Sequence, residues 1–176
     1  MIIVKDNFLE ENYLQSLIKI VEKGGRMKLD STGSHVMKQK SDYDWYMISS
    51  PKLRTSPIRY PLLKKIDALT GEKTPEDLTH IHLFAKEFDK GSYCAPHVED
   101  PKLYGDWTFM LYCTDEDDGA LSGDGFSILP RYNRLVLMRT GTIMHKVDYC
   151  SGTRLNISGW PYATDEVVKR WRKNNE

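Results

Sequence analysis

No stretch of this chain is apolar for long enough to cross a bilayer, and the opening Met1-Ile2-Ile3-Val4-Lys5-Asp6 has no charged head followed by an extended apolar run. Neither a spanning segment nor a secretory signal is expected, which points to a cytoplasmic protein. Net charge is missing too. The 25 basic residues balance 25 acidic ones, and both signs are spread along the chain. That leaves no broad electrostatic footprint for nucleic acid or an anionic membrane. The locally basic Lys169-Arg170-Trp171-Arg172-Lys173 is short and reads as the solvated face of a terminal helix. Cysteine is scarce: Cys94, Cys113 and Cys150 are odd in number, irregularly spaced and in no Cys-x-x-Cys. They fit thiols in a reducing compartment and exclude a disulfide frame or a zinc knuckle. Internal repeats and low-complexity tracts are also absent, which removes solenoids and long disordered linkers from consideration.

What is present suits a single core. The chain has 176 residues, ten tyrosines and four tryptophans, enough for one well-packed domain and too short for two ordinary ones. Leu9, Tyr13, Leu14, Leu17, Ile18, Ile20 and Val21 recur at helical intervals, with Asp6 and Asn7 as candidate caps and Gly24-Gly25 as the stop. Loops and short strands are expected over 26–60, where Gly33, Pro51 and Pro57 interrupt any pattern and Tyr43, Trp45 and Tyr46 cluster. A second helix is expected over 61–69, stopping at Thr70-Gly71. From residue 78 onward the texture becomes strand-like, with candidates at 81–88, 93–99, 107–113, 125–129, 135–138 and 154–160 separated by turn residues. This spacing predicts a mainly β fold, an antiparallel sandwich or barrel with the two helices flanking one outer face. Residues 1–75 are then helical support and substrate-side loops, 78–162 the core, and 163–176 a closing helix from about Asp165.

Two spacings carry chemistry. His97 and Glu99 are two apart, so on a strand both side chains reach the same face and one ion. His145, after the 135–138 strand and a turn at Gly141, is the best candidate for a third ligand. Two histidines and a carboxylate on one face of an octahedron leave three positions open, an arrangement associated with non-haem iron(II) oxygenases. Asp100 points to the opposite face of a regular strand and could replace Glu99 only if the strand bends or bulges there. Arg154 follows His145 by nine residues, and a chain turning through Cys150-Ser151-Gly152 can bring its guanidinium into the same pocket. A buried arginine calls for an anion, and its fork suits a carboxylate. Strand alternation places Asn156, Ser158 and Trp160 on the side of Arg154, with Leu155 and Ile157 opposite. That polar row either faces water or lines the inside of a roll, and the metal constellation favours the second.

The runs His97-Val98-Glu99-Asp100-Pro101, Phe109-Met110-Leu111-Tyr112, Gly125-Phe126-Ser127-Ile128-Leu129-Pro130 and Arg134-Leu135-Val136-Leu137-Met138 come in a recognisable order. His145-Lys146-Val147 and Gly152-Thr153-Arg154 through Trp160 follow them. Over about residues 80–162 they resemble the catalytic core of the prolyl 4-hydroxylase-like 2-oxoglutarate- and iron(II)-dependent oxygenases. The resemblance implies a double-stranded β-helix, the cupin-like jelly roll, with His97, His145 and Glu99 holding iron; most of the family carries aspartate where Glu99 stands. It implies that Arg154 binds the distal carboxylate of 2-oxoglutarate with help from the Tyr112 hydroxyl, and that Tyr93, Thr108 and Met110 lie near or line the site. Asn156, Trp160 and the cluster Tyr43, Trp45 and Tyr46 are then candidate substrate contacts, although these aromatics equally suit packing. The implied activity consumes 2-oxoglutarate and O2, releases succinate and CO2, is stimulated by ascorbate, and hydroxylates an unactivated C–H bond. The substrate would be a prolyl residue in a peptide or a small amino-acid-like molecule. Two rivals remain: a cupin-type metal-dependent isomerase or epimerase without oxygen chemistry, and a jelly-roll binding module that has lost its redox function.

Overall fold

The computed structural model describes residues 1–28, 45–49, 57–74, 82–88 and 90–162. After the opening strand β1 (Ile2–Lys5), Leu14, Leu17, Ile18 and Val21 line the buried face of helix α1 (Glu11–Glu22). The expected caps do not cap it. Asp6 instead takes a two-pronged bond from Arg134, at 2.5 and 2.9 Å, and Asn7 sits in the left-handed region at φ +50°. The cap position falls on Glu10, whose side chain makes no capping bond, and the helix ends at Lys23, so that Gly25 already opens a strand. Helix α2 (Tyr60–Thr70) follows a 3-10 turn at Pro57–Arg59 and buries Leu62, Leu63 and Ile66. Its stop is the expected one: Gly71 at φ +76° donates its N–H to the Asp67 carbonyl in a left-handed cap.

The remaining strands are β2 (Gly25–Lys28), β3 (Trp45–Ser49), β4 (His82–Phe88), β5 (Cys94–His97), β6 (Trp107–Tyr112), β7 (Leu121–Gly123), β8 (Phe126–Ile128), β9 (Leu135–Arg139), β10 (His145–Val147) and β11 (Arg154–Trp160). A short helix α3 (Pro101–Tyr104) lies between β5 and β6. Among the described residues all pairings are antiparallel. One sheet has the order β1-β9-β6-β11-β4-β3-β2 and the other β5-β10-β7-β8. Sequence reading anticipates β4, β5, β6, β8, β9 and β11 but not β1, β7 or β10, and it runs the strand holding the first histidine on to residue 99. In the structure β5 stops at His97. Pro96 is accommodated there because β5 is the edge of its sheet.

Strand parity divides the interior. Trp107, Phe109 and Leu111 of β6, Leu135 and Leu137 of β9, Ile157 of β11 and Ala85 of β4 join the apolar faces of α1 and α2 in one cluster. The opposite face of the large sheet contributes Tyr112, Val136 and Met138 to a second cluster with Cys94, Leu121 and Val147 of the small sheet. The helices therefore cover the outside of the large sheet, and the small sheet closes over its inside. The three cysteines are buried and none is in a disulfide. Among the described residues no helix is long and apolar enough to cross a membrane. Tyr43, the basic run at 169–173 and the expected closing helix lie outside the described residues.

Candidate metal centre

The small sheet brings the two histidines together by register. His145, opening β10, is paired across the strands with His97, which ends β5, and their rings lie 4.3 Å apart between centroids. Glu99 follows at the bend after β5. One ligand atom from each of His97, Glu99 and His145 lies within 4.8 Å of the others. Both imidazoles are already oriented. His97 Nδ1 is 2.8 Å from the Ala95 carbonyl and His145 Nδ1 is 3.0 Å from the Ile143 carbonyl. A carbonyl only accepts, so each Nδ1 carries a proton, and in the neutral ring that leaves the Nε2 lone pair for a metal. This is the arrangement by which protein ligands present imidazole nitrogen to a metal. Glu99 is buried, whereas Asp100 is exposed and uses Oδ1 to accept the Lys102 N–H at 2.9 Å as the cap of α3. The bend is fixed from the far side by Gly141, whose N–H bonds the Glu99 carbonyl at 2.8 Å. Only glycine serves there, since φ is +73° and a Cβ would come within 2.8 Å of Pro101 Cγ.

The triad opens into a pocket between the two sheets. Its far wall is the inner row of β11: Arg154, Asn156, Ser158 and Trp160. Thr108 and Met110 of β6 stand beside that row, and Cys94, Leu121 and Val147 close the pocket from the small sheet. Arg154 has no exposed surface. Its Nη1 donates to the Gly119 carbonyl at 2.6 Å, and the guanidinium carbon lies 5.7 Å from the centre of the Tyr112 ring. Burial pushes the Arg154 pKa down, with Tyr112 the largest influence in the other direction. Burial raises the Tyr112 hydroxyl, and Arg154 is the first group to oppose that rise. Two further polar atoms are buried here with no hydrogen-bond partner among the described residues, Tyr112 Oη and Asn156 Nδ2. Each costs about 1–3 kcal/mol when left unsatisfied, and such atoms mark places where a ligand completes the bonding. Ser158 donates its hydroxyl to Asn156 Oδ1, so the free end of that amide is its N–H2 donor. A cationic fork and an amide donor from β11, facing two imidazoles and a carboxylate in the same pocket, fit a divalent metal together with a small anionic co-substrate.

Not every sequence candidate comes to the pocket. Tyr93 falls outside it, just before β5, with its ring 4.9 Å from that of Tyr149. Tyr112 lies fully buried behind the wall, next to Arg154. Thr108 lines the pocket and bonds weakly back to the Gly159 carbonyl at 3.4 Å. Trp160 does not aim its polar atom at open space: Nε1 donates to Glu99 Oε2 at 2.7 Å. Trp45 and Tyr46 are on β3, in register with Phe88 and Glu87 of β4. Sequence reasoning misses Cys94, Leu121 and Val147 as lining residues, and Gly119 as a partner for the arginine. It puts Ser158 on the right face by parity without giving it a role. A second group, Glu116, Asp118 and Cys150, is equally close. There both Asp118 oxygens accept the Ser151 N–H, which makes Asp118 a brace for the turn.

No family model and no curated protein matches the chain. Solved structures do. A Pseudomonas putida prolyl-4-hydroxylase superposes with a TM-score of 0.68 at 15% identity, over 93% of this chain and 92% of that one. A Trichoplax adhaerens prolyl hydroxylase, in complex with a hypoxia inducible factor oxygen degradation domain peptide fragment, gives 0.65 at 13% identity over 96% and 86%. The viral collagen prolyl hydroxylase of Paramecium bursaria Chlorella virus-1, in a 2-oxoglutarate complex, gives 0.60 at 14% identity over 93% and 96%. The chain thus has the double-stranded β-helix fold of the prolyl 4-hydroxylase-like 2-oxoglutarate and iron(II) oxygenases.

Proposed function

We propose that this protein is a 2-oxoglutarate- and iron(II)-dependent dioxygenase that hydroxylates an unactivated C–H bond. The observation that carries the reading is the sharing of one pocket by the His97, Glu99 and His145 cluster and the fully buried Arg154. Two neutral imidazoles and one carboxylate leave a divalent ion with a residual positive charge, which favours an anionic chelate. Arg154 would grip the distal carboxylate bidentately, with the Tyr112 hydroxyl and the Asn156 amide completing its hydrogen bonds. Met110, Leu121 and Val147 supply apolar lining to the same pocket. Iron and 2-oxoglutarate would supply the oxidising power: O2 gives one oxygen atom to succinate, formed with loss of CO2, and the other to the substrate C–H bond. Ascorbate would keep the metal reduced. The cupin-type rival uses the same three ligands but assigns no role to an arginine fork lining the same pocket.

For the substrate, a prolyl residue in a peptide is favoured by the peptide and collagen named for two structural neighbours, and a small amino-acid-like molecule is the alternative. The fold leaves that choice to the residues at the mouth. The test has two parts. With iron(II), ascorbate and O2, the protein should convert 2-oxoglutarate to succinate, and a panel of peptides and free amino acids should yield a product heavier by one oxygen. His97→Ala and His145→Ala should each abolish metal binding and turnover while the apoprotein stays folded. Stoichiometric metal binding by either variant would dismiss the triad, and metal binding without succinate would favour the cupin-type rival.

A further inference from the structure

Glu99 presents two oxygens, but a three-ligand facial site needs only one of them. Carboxylates bind metals through one oxygen or both. If both Glu99 oxygens closed onto the ion, the second would take a position that the co-substrate or O2 requires. The structure shows what prevents it. Trp160 Nε1 donates to Glu99 Oε2 at 2.7 Å, the short distance of a charge-assisted bond. An indole N–H is a donor only, so Trp160 cannot itself ligate and its only service to the carboxylate is to hold that oxygen.

The indole is in turn held by the segment that carries the ligand. Tyr104 stacks on Trp160 with centroids 4.3 Å apart and an interplanar angle of 27°. Tyr104 ends α3, which begins two residues after Glu99 and is capped by Asp100. Gly105, next in sequence, lies so close to the end of β11 that a Cβ there would be 2.2 Å from the Tyr162 carbonyl oxygen. Ligand, indole and stacking ring therefore form one closed unit, with the loop 99–105 on one side and the end of β11 on the other. The length of Glu99 matters to this unit. An aspartate would be one methylene shorter and could not meet both the imidazole cluster and the indole without moving the backbone.

We propose that Trp160 is a positioning residue for Glu99: by holding Oε2 it makes Glu99 a one-oxygen ligand and keeps the open metal positions free, with Tyr104 locking the indole in place. The inference rests on the metal reading of the triad given above. It assigns Trp160 a role through Glu99 rather than toward the substrate.

The experiment is an oxygen-free calorimetric titration of manganese(II) into the apoprotein. Trp160→Phe keeps the ring and its stack but removes the N–H. It should weaken manganese(II) binding by roughly ten- to hundred-fold, the usual consequence of removing a group that orients a metal ligand. Tyr104→Ala, which leaves the N–H in place and loosens the indole, should weaken it by a smaller factor. Glu99→Asp supplies the diagnostic. If Trp160 acts through the glutamate oxygen, adding Trp160→Phe to Glu99→Asp should change manganese(II) affinity little. A merely structural role would give the same factor in both backgrounds. Thermal melts of the metal-free variants read folding separately. Unaltered affinity in folded Trp160→Phe, or an equal effect in both backgrounds, would overturn the role of Trp160 while leaving the triad standing. A wild-type protein that does not bind manganese(II), or that binds it equally well as His97→Ala, would overturn the triad, and this inference with it.

Discussion

Strand β11 has two faces that are equally dry and chemically opposite. Ile157 has no exposed surface and packs with Leu155 against the cluster formed by α1 and α2. Arg154, also without exposed surface, shares the other face with Asn156 and Ser158, exposed by 1% and 3%. Burial alone thus does not separate packing from chemistry; the polarity of what is buried does. Each large apolar side chain removed from water on the outer face contributes about 1.5–3 kcal/mol. On the inner face, burying the arginine costs desolvation, and each unsatisfied polar atom there costs stability until a ligand meets it. The outer face holds the sheet against the helices so that the inner row can keep a cation and two orphaned donors in fixed positions.

The largest expected break in that comparison is at Arg154. If its guanidinium holds the distal carboxylate of 2-oxoglutarate, Arg154→Ala removes one partner of a buried charged pair, a loss of about 2–5 kcal/mol. That corresponds to roughly thirty-fold to several-thousand-fold weaker co-substrate binding. Manganese(II) affinity should stay as it is, since Arg154 is not a ligand. Arg154→Lys should fall between, keeping the charge without the fork. Calorimetry of 2-oxoglutarate on the manganese-loaded, oxygen-free protein reads all three. A folded Arg154→Ala with undiminished affinity would leave the inner face without its proposed ligand.

The converse change is on the same strand, facing outward. Ile157→Val deletes one buried methylene and should cost about 0.5–1.5 kcal/mol of stability, seen as a lower urea midpoint. Manganese(II) and 2-oxoglutarate affinities should not move with it. Co-substrate affinity that fell in step with stability would mean that the two faces of β11 are not independent.

This division is legible in the sequence wherever periodicity alone decides it. The three- and four-residue spacing of Leu14, Leu17, Ile18 and Val21 marks α1, and the alternation from Arg154 to Trp160 by itself separates ligand row from core. His97 and Glu99, two apart, fall on one side of a strand for the same reason. Register and bends decide the rest, and they leave no period to read. β7 and β10 are three residues each, too short to show one, yet β10 is what sets His145 opposite His97. The bond from Trp160 to Glu99 joins residues 61 apart in sequence, and the alternation of β11 alone can only point the indole inward. Proximity to His97 suggests Tyr93 for the site, but β5 begins one residue later and the ring turns to Tyr149. Asp6 looks like a helix cap because caps are local, whereas its partner is an arginine 128 residues away.

That arginine permits the finest comparison, since Arg134 and Arg154 are the same side chain in opposite settings. The Arg134 side chain is 20% exposed and bonds Asp6, which is 57% exposed, at the rim where β1 ends and β9 begins. The bond with Asp6 raises the Arg134 pKa, whereas burial lowers that of Arg154. The Asp6 carboxyl is held below its ordinary 3.8, first by the Arg134 hydrogen bond. A carboxylate with a depressed folded pKa binds fewer protons folded than unfolded between the two values. Its contribution is therefore complete above the unfolded value and is lost as pH falls through the folded one. Because water and salt screen so exposed a pair, Asp6→Asn should cost less than about 1 kcal/mol at neutral pH. The cost should shrink further in high salt. Urea midpoints of the native protein and Asp6→Asn should thus differ slightly at pH 7 and converge on acidification below the ordinary carboxylate range. A gap that widened in acid would reverse the sign and show that the carboxylate, not its protonated form, is the less favourable state at this rim.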